Sequence, residues 1–274
     1  MKFGILGNPY KSGVKEICLY IAKILDHNDL IFSEELKEIL SENLRFGSYA
    51  EIKDVADIII SVGGDGTFLR TARNFIEKPI MGVNAGTFGF LTVYSHNNLE
   101  NALKNIIMGR WYIENRITLK AQKFDRPVIA LNDFVISVTG SARMVSISVN
   151  AEGKSVFDYR GDGLIVATPT GSTAYNLSAG GPVLYPTMAA IVITPICPHK
   201  LSLRPVVLPS ETILKIKVES KSEEIILSAD GQDIIPLKSG DEITISKYEH
   251  DVKLAKTSDL LNHFEILKAK LYWG

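Results

Sequence analysis

Residues 57–67 read Asp-Ile-Ile-Ile-Ser-Val-Gly-Gly-Asp-Gly-Thr, an order that few folds accommodate. Ile58, Ile59, Ile60 and Val62 form a short apolar run of strand length, and the paired glycines Gly63 and Gly64 break it. Thr67 to Ile76 then has helical composition. Strand, tight turn and helix in succession are the building unit of a parallel sheet with crossover helices. The neighbouring segments agree. Phe3 to Leu6 and Pro79 to Val83 read as short buried strands, and Val14 to Leu25 as a helix. Leu99, Leu103, Ile106 and Ile107 mark one face of a helix that ends near Gly109. Residues 1–109 are therefore expected to form a Rossmann-like α/β domain carrying the glycine turn.

From Arg110 the texture changes to short, β-branched and alternating runs, among them Ile117 to Ala121, Val128 to Val138, Val145 to Val149, Leu164 to Ala167 and Ile213 to Val218. Residues 110–256 are expected to be a β-rich, sandwich-like domain. Residues 257–274 return to a helical pattern, with Leu260, Leu261, Phe264, Ile266 and Leu267, expected to pack back on the first domain.

A chain of 274 residues with 46% apolar and 22% charged residues can build a sizeable core and is not natively disordered. Thirty Lys and Arg against 31 Asp and Glu leave a net charge of -1, so the whole molecule offers no field that would gather nucleic acid or an anionic membrane. Cys18 and Cys197 stand far apart with no Cys or His at metal-ligand spacing, which argues against a disulfide framework or a zinc site and fits a reducing cytoplasm. No run approaches the ~18 apolar residues of a membrane span, and the opening residues are too short for a signal sequence.

Two constellations can carry chemistry. In the first, Gly63, Gly64, Asp65, Gly66 and Thr67 let backbone N–H groups approach an anion at a helix start, and phosphate is the natural ligand. A carboxylate facing polyphosphate is repulsive unless it serves a divalent cation or a proton transfer, both of which belong to phosphoryl transfer. The alternative is a simple glycine turn with Asp65 as helix cap. Arg70, one turn on, is in position to reach phosphate or to stand in solvent.

The second constellation runs from Arg160 to Pro182 and includes Asp162, Thr173, Tyr175, Asn176 and Ser178 among six glycines. Its density of hydrogen-bonding groups is too polar for a core strand and reads as a ligand lining, led into by the apolar strand Leu164 to Ala167. Asp162 suits ribose hydroxyls and Tyr175 suits stacking on a ring. Smaller signals fail. Gly153, Lys154 and Ser155 end like a P-loop, but Ser148 stands where its first glycine belongs, so a hairpin turn is expected. His199 reads as a loop histidine. Asn132 and Asp133 interrupt an apolar run, a costly position if buried unless the pair meets a polar ligand or backbone.

Taken together, GGDGT at Gly63 to Thr67 and DGLIVATPTGSTAYNLSAGGP at Asp162 to Pro182 resemble the NAD kinase family. The similarity extends through GVNAGTFGFL at Gly82 to Leu91, LND at Leu131 to Asp133, PICPHKLSLRPVVLP at Pro195 to Pro209, and ADGQ at Ala229 to Gln232. The resemblance implies an α/β domain followed by a β-rich domain, and phosphorylation of the 2′-hydroxyl of NAD's adenosine ribose by ATP to give NADP and ADP. Mg²⁺ would be bound mainly through ATP, with no protein metal site. It makes Asp65 the catalytic group and assigns Gly63, Gly64, Gly66 and Thr67 to the phosphate-binding turn.

By the same resemblance, nucleotide contacts fall on Asp65, Gly66, Arg70, Asn132, Asp133, Arg143, Arg160, Asp162, Thr173, Ala174, Tyr175, Asn176, Leu177, Ser178 and Gln232. Asp133 stands where the family carries Glu, one methylene shorter. The resemblance also implies a homodimer or homotetramer. Two rivals remain. A lipid or sphingoid-base kinase shares a GGDGT turn but lacks the TPTGSTAY stretch, and no membrane-facing amphipathic segment occurs here. A non-catalytic NAD sensor would do better without a carboxylate beside phosphates.

Overall fold

The computed structural model describes residues 1–41, 43–86, 88–123, 126–138, 144–220, 225–258, 260 and 262–272. It divides into one unit made of Met1–Asn115 with Val252–Gly274, and a second made of Arg116–Asp251.

The first unit is built on β1 (Phe3–Gly7), β2 (Leu30–Ser33), β3 (Phe46–Gly47), β4 (Ile58–Gly63), β5 (Pro79–Asn84) and β6 (Tyr112–Arg116). Its helices are α1 (Val14–Ile24), α2 (Tyr49–Val55), α3 (Asp65–Asn74) and α4 (His96–Ile107). β1 pairs in parallel with both β2 and β4, and β4 with β5. Both faces of this sheet must be covered, because β1 and β4 are buried along their whole length. On one face Phe3, Ile5, Ile58, Ile60, Met81 and Val83 share a core with Ile17 and Ile21 of α1 and Leu99, Leu103 and Ile106 of α4. The alternate residues turn the other way, where Gly4 lies against Ile52 of α2 and Gly82 against Phe68 of α3. Capping follows sequence: Ser48 and Glu51 form a reciprocal capping box at the start of α2.

Among the described residues the second unit is a sandwich of two six-stranded antiparallel sheets. Its strands are β7 (Leu119–Gln122), β8 (Val128–Ala130), β9 (Asp133–Val138), β10 (Val145–Ala151), β11 (Lys154–Gly161), β12 (Gly163–Ala167), β13 (Ala190–Ile196), β14 (Val206–Pro209), β15 (Leu214–Glu219), β16 (Ile225–Ala229), β17 (Asp233–Leu237) and β18 (Glu242–Lys247). The sheets run β11-β10-β15-β18-β7-β8 and β14-β13-β12-β9-β16-β17. Phe134, Ile136, Leu164 and Val166 of one meet Ile147, Val149, Ile216 and Ile245 of the other in a single core. The stretch Val128 to Val138 is thus two strands in different sheets, with the chain crossing over at Leu131 and Asn132. Gly153 does sit in a hairpin turn, joining β10 to β11 with Glu152 and Gly153 both at positive φ.

The chain then returns to the first unit. β19 (Val252–Lys256) pairs in parallel with β5 and completes the order β3-β2-β1-β4-β5-β19-β6. The helix α6 (His263–Leu271) follows, with Ile266 in the first unit's core and Lys270 Nζ donating to the Phe88 carbonyl at 2.7 Å. Val252–Lys256, which reads as one more β-rich run by composition, therefore belongs to the α/β sheet. A strand's partner is not encoded in its own residues.

Candidate active site

The glycine turn sits at the carboxyl end of β4, beside the carboxyl end of β1. Gly64 precedes α3, and Asp65 is the first residue of that helix. Among the described residues its carboxylate accepts no N–H of that helix, so it does not cap it. It reaches instead to the loop after β5. Asp65 Oδ2 accepts the Phe90 N–H at 2.8 Å, and Oδ1 accepts the Leu91 and Thr92 N–H groups at 3.1 and 3.0 Å and the Thr92 hydroxyl at 2.9 Å. Gly89 leaves no room for a side chain beside Asp65 Oδ1. Three donors hold one oxygen and one holds the other, so Oδ2 keeps the free lone pair. The helix-cap alternative is excluded, and the carboxylate is a rigidly oriented acceptor.

Arg70 is engaged elsewhere. Its Nη2 donates to Glu35 Oε2 at 2.9 Å and to the Gly7 carbonyl at 3.1 Å, while Tyr49 holds Glu35 from the other side at 2.9 Å. The guanidinium expected to meet phosphate is thus already paired, on a half-exposed surface.

In the second unit, a cavity of about 350 Å³ is lined by Asn132, Asp133, Val135, Ser137, Ala174, Tyr175, Ser228, Asp230 and Gly231. Alternation along β9 explains it. Phe134 and Ile136 face the core, so Asp133, Val135 and Ser137 face out, and Ala174 with the exposed ring of Tyr175 closes the side. Asp230 organises the floor. Its Oδ1 accepts the N–H groups of Asn132 and Asp133 at 2.7 and 3.2 Å, and its Oδ2 accepts that of Leu131 at 3.1 Å. Thr168 completes the clamp, its hydroxyl donating to the Leu131 carbonyl at 2.6 Å. The backbone N–H groups of that interruption are thereby satisfied at the crossover between sheets, while Asn132 and Asp133 themselves border the cavity. Burial, and then the Asp230 charge, push the Asp133 carboxyl up to about 7.

The TPTGSTAYNLS stretch divides by role. Asn176 is buried and fully used, its amide donating to the Ser172 and Pro182 carbonyls at 3.0 and 3.1 Å and its Oδ1 accepting from Thr194 at 2.6 Å. It holds the loop's shape. Thr173 donates to the Thr170 carbonyl at 3.3 Å, and the buried Arg116 donates to Thr170 Oγ1 at 3.2 Å. Ala174 and Tyr175 are the members that line the cavity, with Leu177 partly buried and Ser178 exposed on the short helix α5 (Tyr175–Ser178). Arg160 and Asp162 are exposed at the end of β11, and Asp162 accepts the Cys197 thiol. Gln232 is exposed on the turn after β16. Arg143 lies outside the described residues. Sequence reasoning missed the roles of Asp230 and Arg116; Asp230 entered there only within the ADGQ resemblance.

A glycine turn that opens a helix and orients a carboxylate, accompanied by a polar cavity on a β-sandwich, defines a nucleotide phosphotransferase of two units. The comparisons with known proteins narrow this. Residues 3–111 match the family model for the ATP-NAD kinase N-terminal domain, and residues 131–257 that for the ATP-NAD kinase C-terminal domain. The NAD kinase of Chlorobium limicola is 34% identical over 281 residues, covering 100% of this chain and 97% of its own, and that of Koribacter versatilis is 38% identical over 279 residues, covering 98% and 97%. Among solved structures, yeast NADH kinase complexed with NADH superposes with a TM-score of 0.88 at 25% identity, covering 100% of this chain and 88% of its own. An NAD kinase from Archaeoglobus fulgidus in complex with ATP gives 0.80 at 28% identity, covering 98% and 99%. The chain belongs to the NAD kinase family.

Proposed function

We propose that Asp65 is the general base with which this chain, an ATP-dependent kinase of NAD, prepares the 2′-hydroxyl of the adenosine ribose for transfer, giving NADP and ADP. A ribose hydroxyl is a weak nucleophile near neutral pH, and a carboxylate within hydrogen-bond reach assists by accepting its proton in the transition state. The observation that carries the reading is the orientation of Asp65. Four donors from residues 90–92 fix its carboxylate and leave Oδ2 the spare acceptor position. A helix cap would need none of that wiring.

Backbone N–H groups at Gly64, Gly66 and Thr67 would face the phosphates. ATP would enter as its Mg²⁺ complex, the cation offsetting charge on the transferring phosphoryl group. The NAD nucleoside is assigned to the cavity of the second unit, with Asn132 and Asp133 as polar partners and Tyr175 as the stacking surface. A cytoplasmic homodimer or homotetramer belongs to the same reading. Two free cysteines, one of them exposed, support a reducing compartment, and exposed Val207 and Ile234 on the edge strands β14 and β17 support self-association.

The test is turnover of the purified chain with NAD, Mg²⁺ and ATP, with NADP read by an NADP-specific dehydrogenase. NADP formation by the wild type and its loss in Asp65→Asn is the expected result. An Asp65→Asn protein with near-normal turnover overturns the base assignment.

A further inference from the structure

The first unit's strand order places β2 and β3 on one side of β1, and β4 and β5 on the other. The direction of winding reverses between β1 and β4, and in open parallel sheets ligands bind outside the carboxyl ends of the strands at such a reversal. Two loops meet there. One is the glycine turn after β4. The other, Asn8 to Gly13 after β1, is a fixed structure. The Tyr10 N–H donates to Asn8 Oδ1 at 3.1 Å, the Lys11 N–H to the Asn8 carbonyl at 3.0 Å, and the Val14 N–H to the Lys11 carbonyl at 3.3 Å. Gly13 anchors the loop's end, at φ 82° and packed against the Ala85 carbonyl, where any side chain would collide.

This turn lays the Lys11 side chain across the glycine turn. A Cβ placed on Gly64 would stand 2.5 Å from Lys11 Nζ and 3.9 Å from its Cε. Gly64 itself has an extended backbone, φ -125° and ψ -175°, which any residue adopts. What glycine supplies at position 64 is space for the ammonium, and conformation does not require it.

The second cation near these loops, Arg70, is neutralised by Glu35 and tied to Gly7. Lys11 differs. Among the described residues its ammonium makes no ion pair and donates no hydrogen bond, and the residue is half-buried beside Gly64. A cation beside a glycine turn that opens a helix, with no anion of its own, suits a phosphate.

We infer that Lys11 is a phosphate-binding residue for the donor: its ammonium contacts the phosphate chain of ATP at the Gly63–Thr67 turn, and Arg70 does not take that role. The inference rests on the kinase reading above and adds a residue to it. A diphosphate is also present in NAD, so the two nucleotides are separated in the test.

The test compares wild type, Lys11→Ala, Lys11→Arg and Arg70→Ala. KM is measured for ATP and NAD separately, with calorimetric binding of MgATP and of AMP. Loss of a charge-assisted contact predicts that Lys11→Ala raises the KM and Kd for MgATP about 10- to 100-fold. AMP binding and the KM for NAD should stay within about twofold, since neither includes that contact. Lys11→Arg should restore much of the loss, and Arg70→Ala should weaken MgATP less than Lys11→Ala does. A rise confined to the KM for NAD, unchanged MgATP binding in Lys11→Ala, or a larger effect from Arg70→Ala overturns the assignment. Wild-type NADP formation in the same series separates this outcome from failure of the kinase reading itself.

Discussion

The Asp65 carboxylate and the Phe90 main-chain N–H lie 2.8 Å apart, joining the start of α3 to a loop 25 residues further on. The contact makes the proposed general base and the loop after β5 one mechanical part. Replacing the carboxylate therefore removes more than a proton acceptor. Asp65→Asn is expected to lower kcat by about 10²- to 10⁴-fold, the usual worth of general-base assistance. It also turns an amide group toward donors, so a lower melting temperature should accompany the lost turnover. Thermal unfolding of the variant beside its kinetics checks both.

Thr92 tests the scaffold apart from the chemistry. Its hydroxyl is fully buried and donates to Asp65 Oδ1 at 2.9 Å. Thr92→Val keeps the shape and removes that donor. Hydrogen bonds to charged groups contribute about 1.5–3 kcal/mol, and a loss of that order is expected in denaturant unfolding. Three donors remain on Asp65, so kcat should fall far less than in Asp65→Asn.

Asp230 is expected to matter to stability as much as the core does. One carboxylate accepts from three consecutive N–H groups, at Leu131, Asn132 and Asp133. Asp230→Ala leaves them without an acceptor at the point where the chain changes sheets, at a cost of roughly 3 kcal/mol or more. The KM for NAD should rise as well, because Asn132 and Asp133 line the cavity from that turn. Unfolding curves and initial-rate kinetics would show whether both move together.

Asp133 predicts a pH dependence with a definite sign. Burial, then the charge of Asp230, raise its carboxyl from 3.8 to about 7. The folded state therefore binds a proton that the unfolded state has released between about pH 4 and pH 7, and stability falls as pH rises through that window. The penalty is complete above about pH 7 and amounts to roughly 4 kcal/mol for a shift of that size. Asp133→Asn has no proton to lose. It should flatten the window and raise stability at pH 8 relative to pH 5, compared with wild type, in denaturant titrations at the two pH values.

What could be read from the chain beforehand was local. The Ile58 to Gly64 run announced a buried strand and turn, and Asp65 stood out because a carboxylate is unwelcome beside phosphate. The density of Gly, Ser and Thr from Arg160 to Pro182 pointed to a lining, but of that stretch Ala174 and Tyr175 border the cavity while Asn176 holds the loop's shape. The partners were hidden by distance. Nothing near Asp65 names Phe90 and Thr92 as its donors, and nothing near Arg70 names Glu35, 35 residues earlier, as its acceptor. Asp230 was concealed by chemistry, since Asp-Gly is an ordinary turn pair whose side chain here does long-range work. Lys11 was concealed by its neighbours, Asn8, Pro9 and Gly13, which look like a loop and nothing more. The crossover within Val128 to Val138 was invisible because both halves are equally apolar.

The position of β19 between β5 and β6 sets an order of events for a chain leaving the ribosome. β6 is synthesised long before β19, yet the sheet has no place for β6 until β19 has seated against β5. The strands β1 to β5 can gather as they emerge. The edge of that sheet must then wait, unsealed, while the 136 residues from Arg116 to Asp251 are translated. Only afterwards can Lys256 meet Glu114 at 2.9 Å and Thr257 donate its N–H to the Tyr94 hydroxyl at 2.8 Å. The first unit to begin folding is the last to be finished.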